Sequence, residues 1–222
     1  MMNYKIKGVA PSLLIITGLH GDEFEIVPLV EKIVEQYYEK LPDFVYIPAA
    51  SSSALKLKTR TNETGVDLNR SFYHGTTVLE AQSLMSLLSG FHFKLVLEIH
   101  EDPLVPDPEK FDGDFYLYDI GTDTNFVHSS AWARLINDIT SLGIKMYNGI
   151  DDPSDYTLGH LVKDGYVHAT ADPSGGGIDD WMICNGLAER VFIPEVPGKI
   201  SLETKSKIID FIFRRLILKE EN

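Results

Sequence analysis

The strongest constraint on the fold of this chain is its alternation of short apolar runs with segments of helical periodicity. Residues 13–17, 44–47, 93–99, 115–118 and 191–195 are rich in β-branched and aromatic side chains and read as strands. Two of these runs are apolar enough to be buried on both faces. Between them, Leu29, Ile33 and Tyr37 recur at helical spacing beside Val30, Val34 and Tyr38, which predicts an amphipathic helix over 25–39 with Pro28 in its first turn. Further helices are predicted over 78–89 and 132–142, each followed by a glycine suited to a left-handed cap. Ile208, Phe211, Ile212 and Leu216 form the stripe of a last helix with Ser201 as its N-cap. The pattern defines an α/β protein: a single domain over residues 1–222, with a mixed sheet and helices on both faces. Segments 101–114 and 147–181, rich in Pro, Gly and Asp, read as loops over the sheet edge.

With 44% hydrophobic residues, 222 positions suffice for one sizeable core. A net charge of -13 argues against a nucleic-acid partner, which needs clustered Lys and Arg. The apolar run at 13–16 is too short for a signal h-region or a membrane span, so no membrane association is expected. The one cysteine, Cys184, rules out an intrachain disulfide framework and fits a cytoplasmic setting. Its apolar neighbours Trp181, Met182 and Ile183 predict a buried structural thiol rather than a nucleophile.

The chemistry gathers at strand ends. Gly18-Leu19-His20-Gly21-Asp22-Glu23 follows the first long strand and precedes a helix, so His20 and Glu23 lie where open α/β sheets place ligands. A second strand runs into His100 at its carboxyl end. Two histidines and a glutamate, with a fourth position left open, is the layout of a catalytic zinc site rather than a closed structural one. Thr59-Arg60 and Gly65-Val66-Asp67-Leu68-Asn69-Arg70 bring two guanidinium groups and an amide into one short stretch. Their bland role is surface salt bridging. A guanidinium fork can also bind a carboxylate by two parallel hydrogen bonds, and a second can stabilise an oxyanion.

Taken together, Gly-x-His-Gly-x-Glu, Thr-Arg, Gly-Val-Asp-Leu-Asn-Arg, a strand ending in His and a late strand ending in Glu195 resemble the zinc metallocarboxypeptidases of the carboxypeptidase A and B type. Ser174-Gly175-Gly176-Gly177-Ile178-Asp179-Asp180-Trp181 resembles that family's Ser-Gly-Gly-x-x-Asp-Trp segment, which lines the specificity pocket. The resemblance runs from about residue 13 to 196 and implies the zinc-carboxypeptidase-like (phosphorylase/hydrolase-like) fold. It implies zinc held by His20, Glu23 and His100, an oxyanion-stabilising Arg60, terminal-carboxylate readers Asn69 and Arg70, and Glu195 as general base for a metal-activated water. The substrate implied is a small peptide or acyl amino acid with a free carboxylate.

Three departures stand out, the first being that the chain is short for the family, with a compact stretch between Glu23 and His100. The pocket segment carries one extra residue before Trp181, so either Ile178 or Asp179 faces the pocket, and apolar and basic preferences both stay open. Where the family has a mobile tyrosine, this chain reads Thr170-Ala171-Asp172-Pro173, leaving Tyr166 or Tyr156 as stand-ins.

The alternative is an N-acyl-amino-acid amidohydrolase resembling succinylglutamate desuccinylase and aspartoacylase, which share the first motif and the Asp-Leu-Asn-Arg stretch. Those enzymes continue into a β-rich region after the catalytic Glu, whereas about one helix follows Glu195 here, and the Ser-Gly-Gly-Gly segment also favours a peptidase. A non-catalytic binding protein is the third reading, set against the fact that every catalytic position is filled. Serine-hydrolase chemistry is disfavoured because no Gly-x-Ser-x-Gly elbow occurs.

Overall fold

The computed structural model describes residues 3–102, 114–121, 124–151 and 159–221. In chain order its elements are β1 (Lys5–Lys7), β2 (Leu13–Ile16), α1 (Ile26–Gln36), β3 (Phe44–Ile47), α2 (Ser52–Leu57), α3 (Leu79–Leu88), β4 (Leu95–Glu98), β5 (His100–Glu101) and β6 (Tyr116–Gly121). There follow α4 (Ser130–Ser141), β7 (Gly149–Ile150), β8 (Leu161–Val162), β9 (Tyr166–Ala169), α5 (Ile178–Cys184), β10 (Arg190–Val196) and α6 (Leu202–Ile212).

Eight strands form one sheet in the order β1-β3-β2-β4-β10-β6-β9, with β5 continuing the edge of β10 beyond β4. β3, β2, β4 and β10 run parallel, whereas β1 and β6 pair antiparallel with β3 and β10. The sheet is mixed, as its sequence pattern predicts, and the side-chain alternation of each strand splits the core in two. Leu13 and Ile15 of β2 face a cluster built on α1, α4 and α6, while Leu14 and Ile16 face one built on α3 and α5. All four are at most 1% exposed, and burying each contributes about 1.5–3 kcal/mol. Helices thus cover both faces, and the parallel strands deliver their carboxyl ends to one edge.

Of the two segments read as loops, 103–113 lies outside the described residues, and the described part of 147–181 is not the run of loops its composition suggests. It contains β9, which pairs parallel with β6, and the start of α5, whose Ile178, Trp181 and Met182 are buried against the sheet. Cys184 corrects a second expectation: it is exposed at the last position of α5, one turn past the apolar residues that are buried.

Candidate active site

Three adjacent strand ends supply the site. β2 leads into a turn fixed by backbone bonds from Ala50 N to Thr17 O (3.1 Å), Ser51 N to Gly18 O (2.8 Å) and Gly21 N to Thr59 O (2.9 Å). This turn carries His20 and Glu23 before α1 begins. The next strand end, β5, carries His100, and Glu195 of β10 lies directly opposite His100 in parallel register.

His20, Glu23 and His100 are all buried, and one potential ligand atom from each lies within 4.8 Å of the others. His20 Nδ1 is 2.6 Å from Glu23 Oε1, and His100 Nδ1 is 3.1 Å from the same oxygen. Each ring turns its far nitrogen to another carboxylate: His20 Nε2 lies 3.2 Å from Asp67 Oδ1, and His100 Nε2 lies 2.8 Å from Glu98 Oε1. Two imidazole nitrogens and a carboxylate oxygen, with outer carboxylates that fix the ring orientation, are a donor set that fits a divalent metal ion. Burial opposes charging His20 and His100, but Glu23, joined by Asp67 at His20 and by Glu98 and Glu195 at His100, outweighs it and holds both above the ordinary histidine value. Burial likewise opposes ionising Glu23, and the two imidazoles override it, holding the carboxyl well below the carboxylate range. Carboxylates of Glu23, Asp67 and Glu98 thus surround the two rings and favour a positive charge there, whether a proton or a metal ion.

Around these residues lies a cavity of about 350 Å³, lined also by Arg60, Asn69, Arg70, Asp179 and Glu195. The structure therefore brings every expected site residue to one cavity. Arg60 Nε donates to Asp67 Oδ2 at 2.9 Å. Burial by itself raises the Asp67 carboxyl, but His20, Arg60 and Arg70 overcome this and hold it below the carboxylate range. Asn69 braces the floor: its Nδ2 donates to Glu98 Oε1 at 2.9 Å, and its Oδ1 accepts from Ile178 N at 3.0 Å. Of the two pocket candidates on α5, Ile178 is 0% exposed within the apolar cluster, whereas Asp179 lines the cavity. Burial, with Glu98 and Asp180 nearby, lifts the Asp179 carboxyl well above its usual range.

Tyr166 does not cover the site. Its hydroxyl donates to Asp119 Oδ2 at 2.6 Å within the aromatic cluster on the opposite face of the sheet, and Tyr156 lies outside the described residues. Among the described residues, the tyrosines that line the cavity are Tyr116, Tyr118 and Tyr147. Period-two alternation on the predicted strand at 115–118 was a signal for the first two, because Tyr116 and Tyr118 share a face opposite Leu117. Glu98 gives a comparable signal, a charge inside a buried apolar run two residues before His100.

No protein-family model matches the sequence, and no curated protein matches it. Solved structures do share the fold. A proposed metallopeptidase from Shewanella denitrificans superposes with a TM-score of 0.72 at 20% identity, covering 96% of this chain and 79% of that one. A succinylglutamate desuccinylase from Silicibacter sp. gives 0.62 at 16% identity, covering 100% and 62%. A metallo-carboxypeptidase from Burkholderia cenocepacia gives 0.58 at 12% identity, covering 94% and 57%. At these identities the likeness is one of fold, and the class it defines is the zinc-carboxypeptidase-like α/β fold with a His-Glu-His cluster able to hold a metal ion.

Proposed function

We propose that this protein is a zinc-dependent metallocarboxypeptidase that hydrolyses the amide bond next to a free C-terminal carboxylate. The observation that carries the reading is the convergence of His20, Glu23 and His100 beside Glu195 on one cavity wall. Zinc, when bound, lowers the pKa of a water to about 7 and polarises an amide carbonyl. Glu195, adjacent to the ligands on β10, takes the proton of the attacking water and delivers it to the leaving amine. Arg60 offsets the negative charge that grows on the carbonyl oxygen. Arg70 reads the substrate carboxylate with its guanidinium fork, and Asn69, tied to Glu98 and Ile178, keeps that part of the clamp in place. Asp179 in the cavity supports a polar or basic substrate side chain over a bulky apolar one. A chain with one cysteine fits action in the cytoplasm.

The second reading, an N-acyl-amino-acid amidohydrolase, is supported by the shared fold of a succinylglutamate desuccinylase and would use the same clamp on a smaller substrate.

Elemental analysis should find about one zinc per chain, lost in the His20→Ala plus His100→Ala variant. Glu195→Gln should keep the zinc and lower kcat at least about a hundredfold, because an amide cannot accept the proton. Free-acid peptides should be cleaved and their amidated forms hardly at all, since amidation leaves a desolvated guanidinium unmatched at a cost of about 2–5 kcal/mol. Preference for succinyl or acetyl amino acids would establish the second reading, and equal cleavage of amidated peptides would refute the clamp in either enzyme.

A further inference from the structure

Behind the metal-binding residues lies a buried charge that the reaction does not use. Lys205 of α6 is 0% exposed, and its Nζ donates to Glu25 Oε2 at 2.6 Å and to Glu101 Oε1. Its two partners are placed to matter. Glu25 follows Glu23 by two residues at the entrance to α1, and Glu101 directly follows His100 in β5. One ammonium therefore ties together two segments that each carry a metal-binding residue, and it does so from a helix 104 residues beyond one and 180 beyond the other. A buried ion pair seldom stabilises a fold better than a well-packed apolar side chain, because desolvating the charges is costly. What the ammonium supplies that an apolar side chain lacks is a fixed distance between two carboxylates.

We propose that Lys205 is a positioning residue for the metal centre: by clamping Glu25 and Glu101 it sets the spacing between Glu23 and His100. Outer contacts that orient ligands weaken metal affinity or activity 10–100-fold when removed. The inference rests on the metal-site reading above, and its test separates the two. Zinc affinity is measured by chelator competition on the folded protein, together with the melting temperature of the zinc-free form and the visible spectrum of the cobalt(II)-substituted form.

Lys205→Met, one contact further out than the groups that bond the ligands directly, should bind zinc about 10-fold more weakly, the low end of that range, and shift the cobalt spectrum. Lys205→Arg, able to donate to both carboxylates, should recover most of the affinity. Glu25→Gln weakens only the partly exposed arm of the clamp, turning an ion pair into a neutral hydrogen bond, so it keeps the proposal testable where Lys205→Met fails to fold. It should weaken zinc binding severalfold while leaving the zinc-free melting temperature close to that of the unaltered protein. If the unaltered protein binds no zinc, the metal-site reading fails. If it binds zinc, and the folded Lys205→Met and Glu25→Gln variants match its affinity and cobalt spectrum while melting lower, Lys205 is structural only and the inference is overturned.

Discussion

Gly21 shows what a single side chain would cost at this site. A Cβ built there would stand 2.0 Å from both the carbonyl carbon and the oxygen of Ala54, backbone atoms with no room to give. The turn that carries His20 and Glu23 packs against α2 at Ala54, and the glycine between the two proposed ligands is what allows it. Gly21→Ala should therefore push that turn off α2, destabilising the fold by about 1–3 kcal/mol and weakening zinc binding with it. Gly65 is the control: its φ is +78° with nothing within 4 Å of a new Cβ, so Gly65→Ala should cost only about 1–2 kcal/mol of backbone strain and leave zinc binding unchanged. Melting curves and chelator competition on both variants check this, and equal zinc affinity in Gly21→Ala would show that the turn tolerates the shift. At this scale the strand-end reading anticipated that His20, Glu23 and His100 come together, which they do within 4.8 Å, while Glu195, implied by the family resemblance alone, lines the same cavity. The sequence was not legible where partners are distant: nothing in the string says that Asn69 lies against Glu98, or Lys205 against Glu101.

Pairing between α1 and α6 shows how elements commit to one another. Tyr37, the C-cap of α1, donates its hydroxyl to Asp210 Oδ1 of α6 at 2.8 Å. Burial, then the bond to Asp210, pushes the Tyr37 phenol up to about 12. The folded state thus holds this proton more tightly than the unfolded chain, whose tyrosine titrates near 10. The contribution to stability is full below pH 10 and is lost as pH rises from 10 toward 12, an effect of about 1 kcal/mol once solvent screening at this part-buried position is allowed for. The stability difference between the unaltered protein and Tyr37→Phe should shrink across that window, and a flat difference would remove the linkage. Element legibility followed how continuous the apolar pattern is. The strand at 44–47 matches its prediction, and Ser201 caps α6 by accepting from Thr204 N. β1, with one isoleucine between two lysines, and the six-residue α2 carry too little periodicity to register. β9 was missed because Tyr-Val-His-Ala is short and flanked by turn residues, and its pairing with β6 defines it.

Across the whole molecule, the site exists because β2, β4 and β10 are neighbours in the sheet. The sequence places chemistry at three strand ends, but their adjacency follows from strand order, which short apolar runs cannot specify. Convergence of this kind would tie a bound metal to the fold itself: His100 lies 77 residues along the chain from Glu23, so an ion that needs all three donors would bind the native state preferentially. Zinc at one hundred times its dissociation constant should then add about 2.7 kcal/mol of stability. For a chain of 222 residues this raises the melting temperature by roughly 5–11 °C, at about 2–4 °C per kcal/mol. His20→Ala plus His100→Ala should abolish the rise, and Glu195→Gln should keep it whole. The comparison discriminates between the ligands and the base without any substrate. A Glu195 variant that lost the shift would make Glu195 a ligand rather than the general base. A double-histidine variant that kept it would put the ion elsewhere among the cavity's carboxylates.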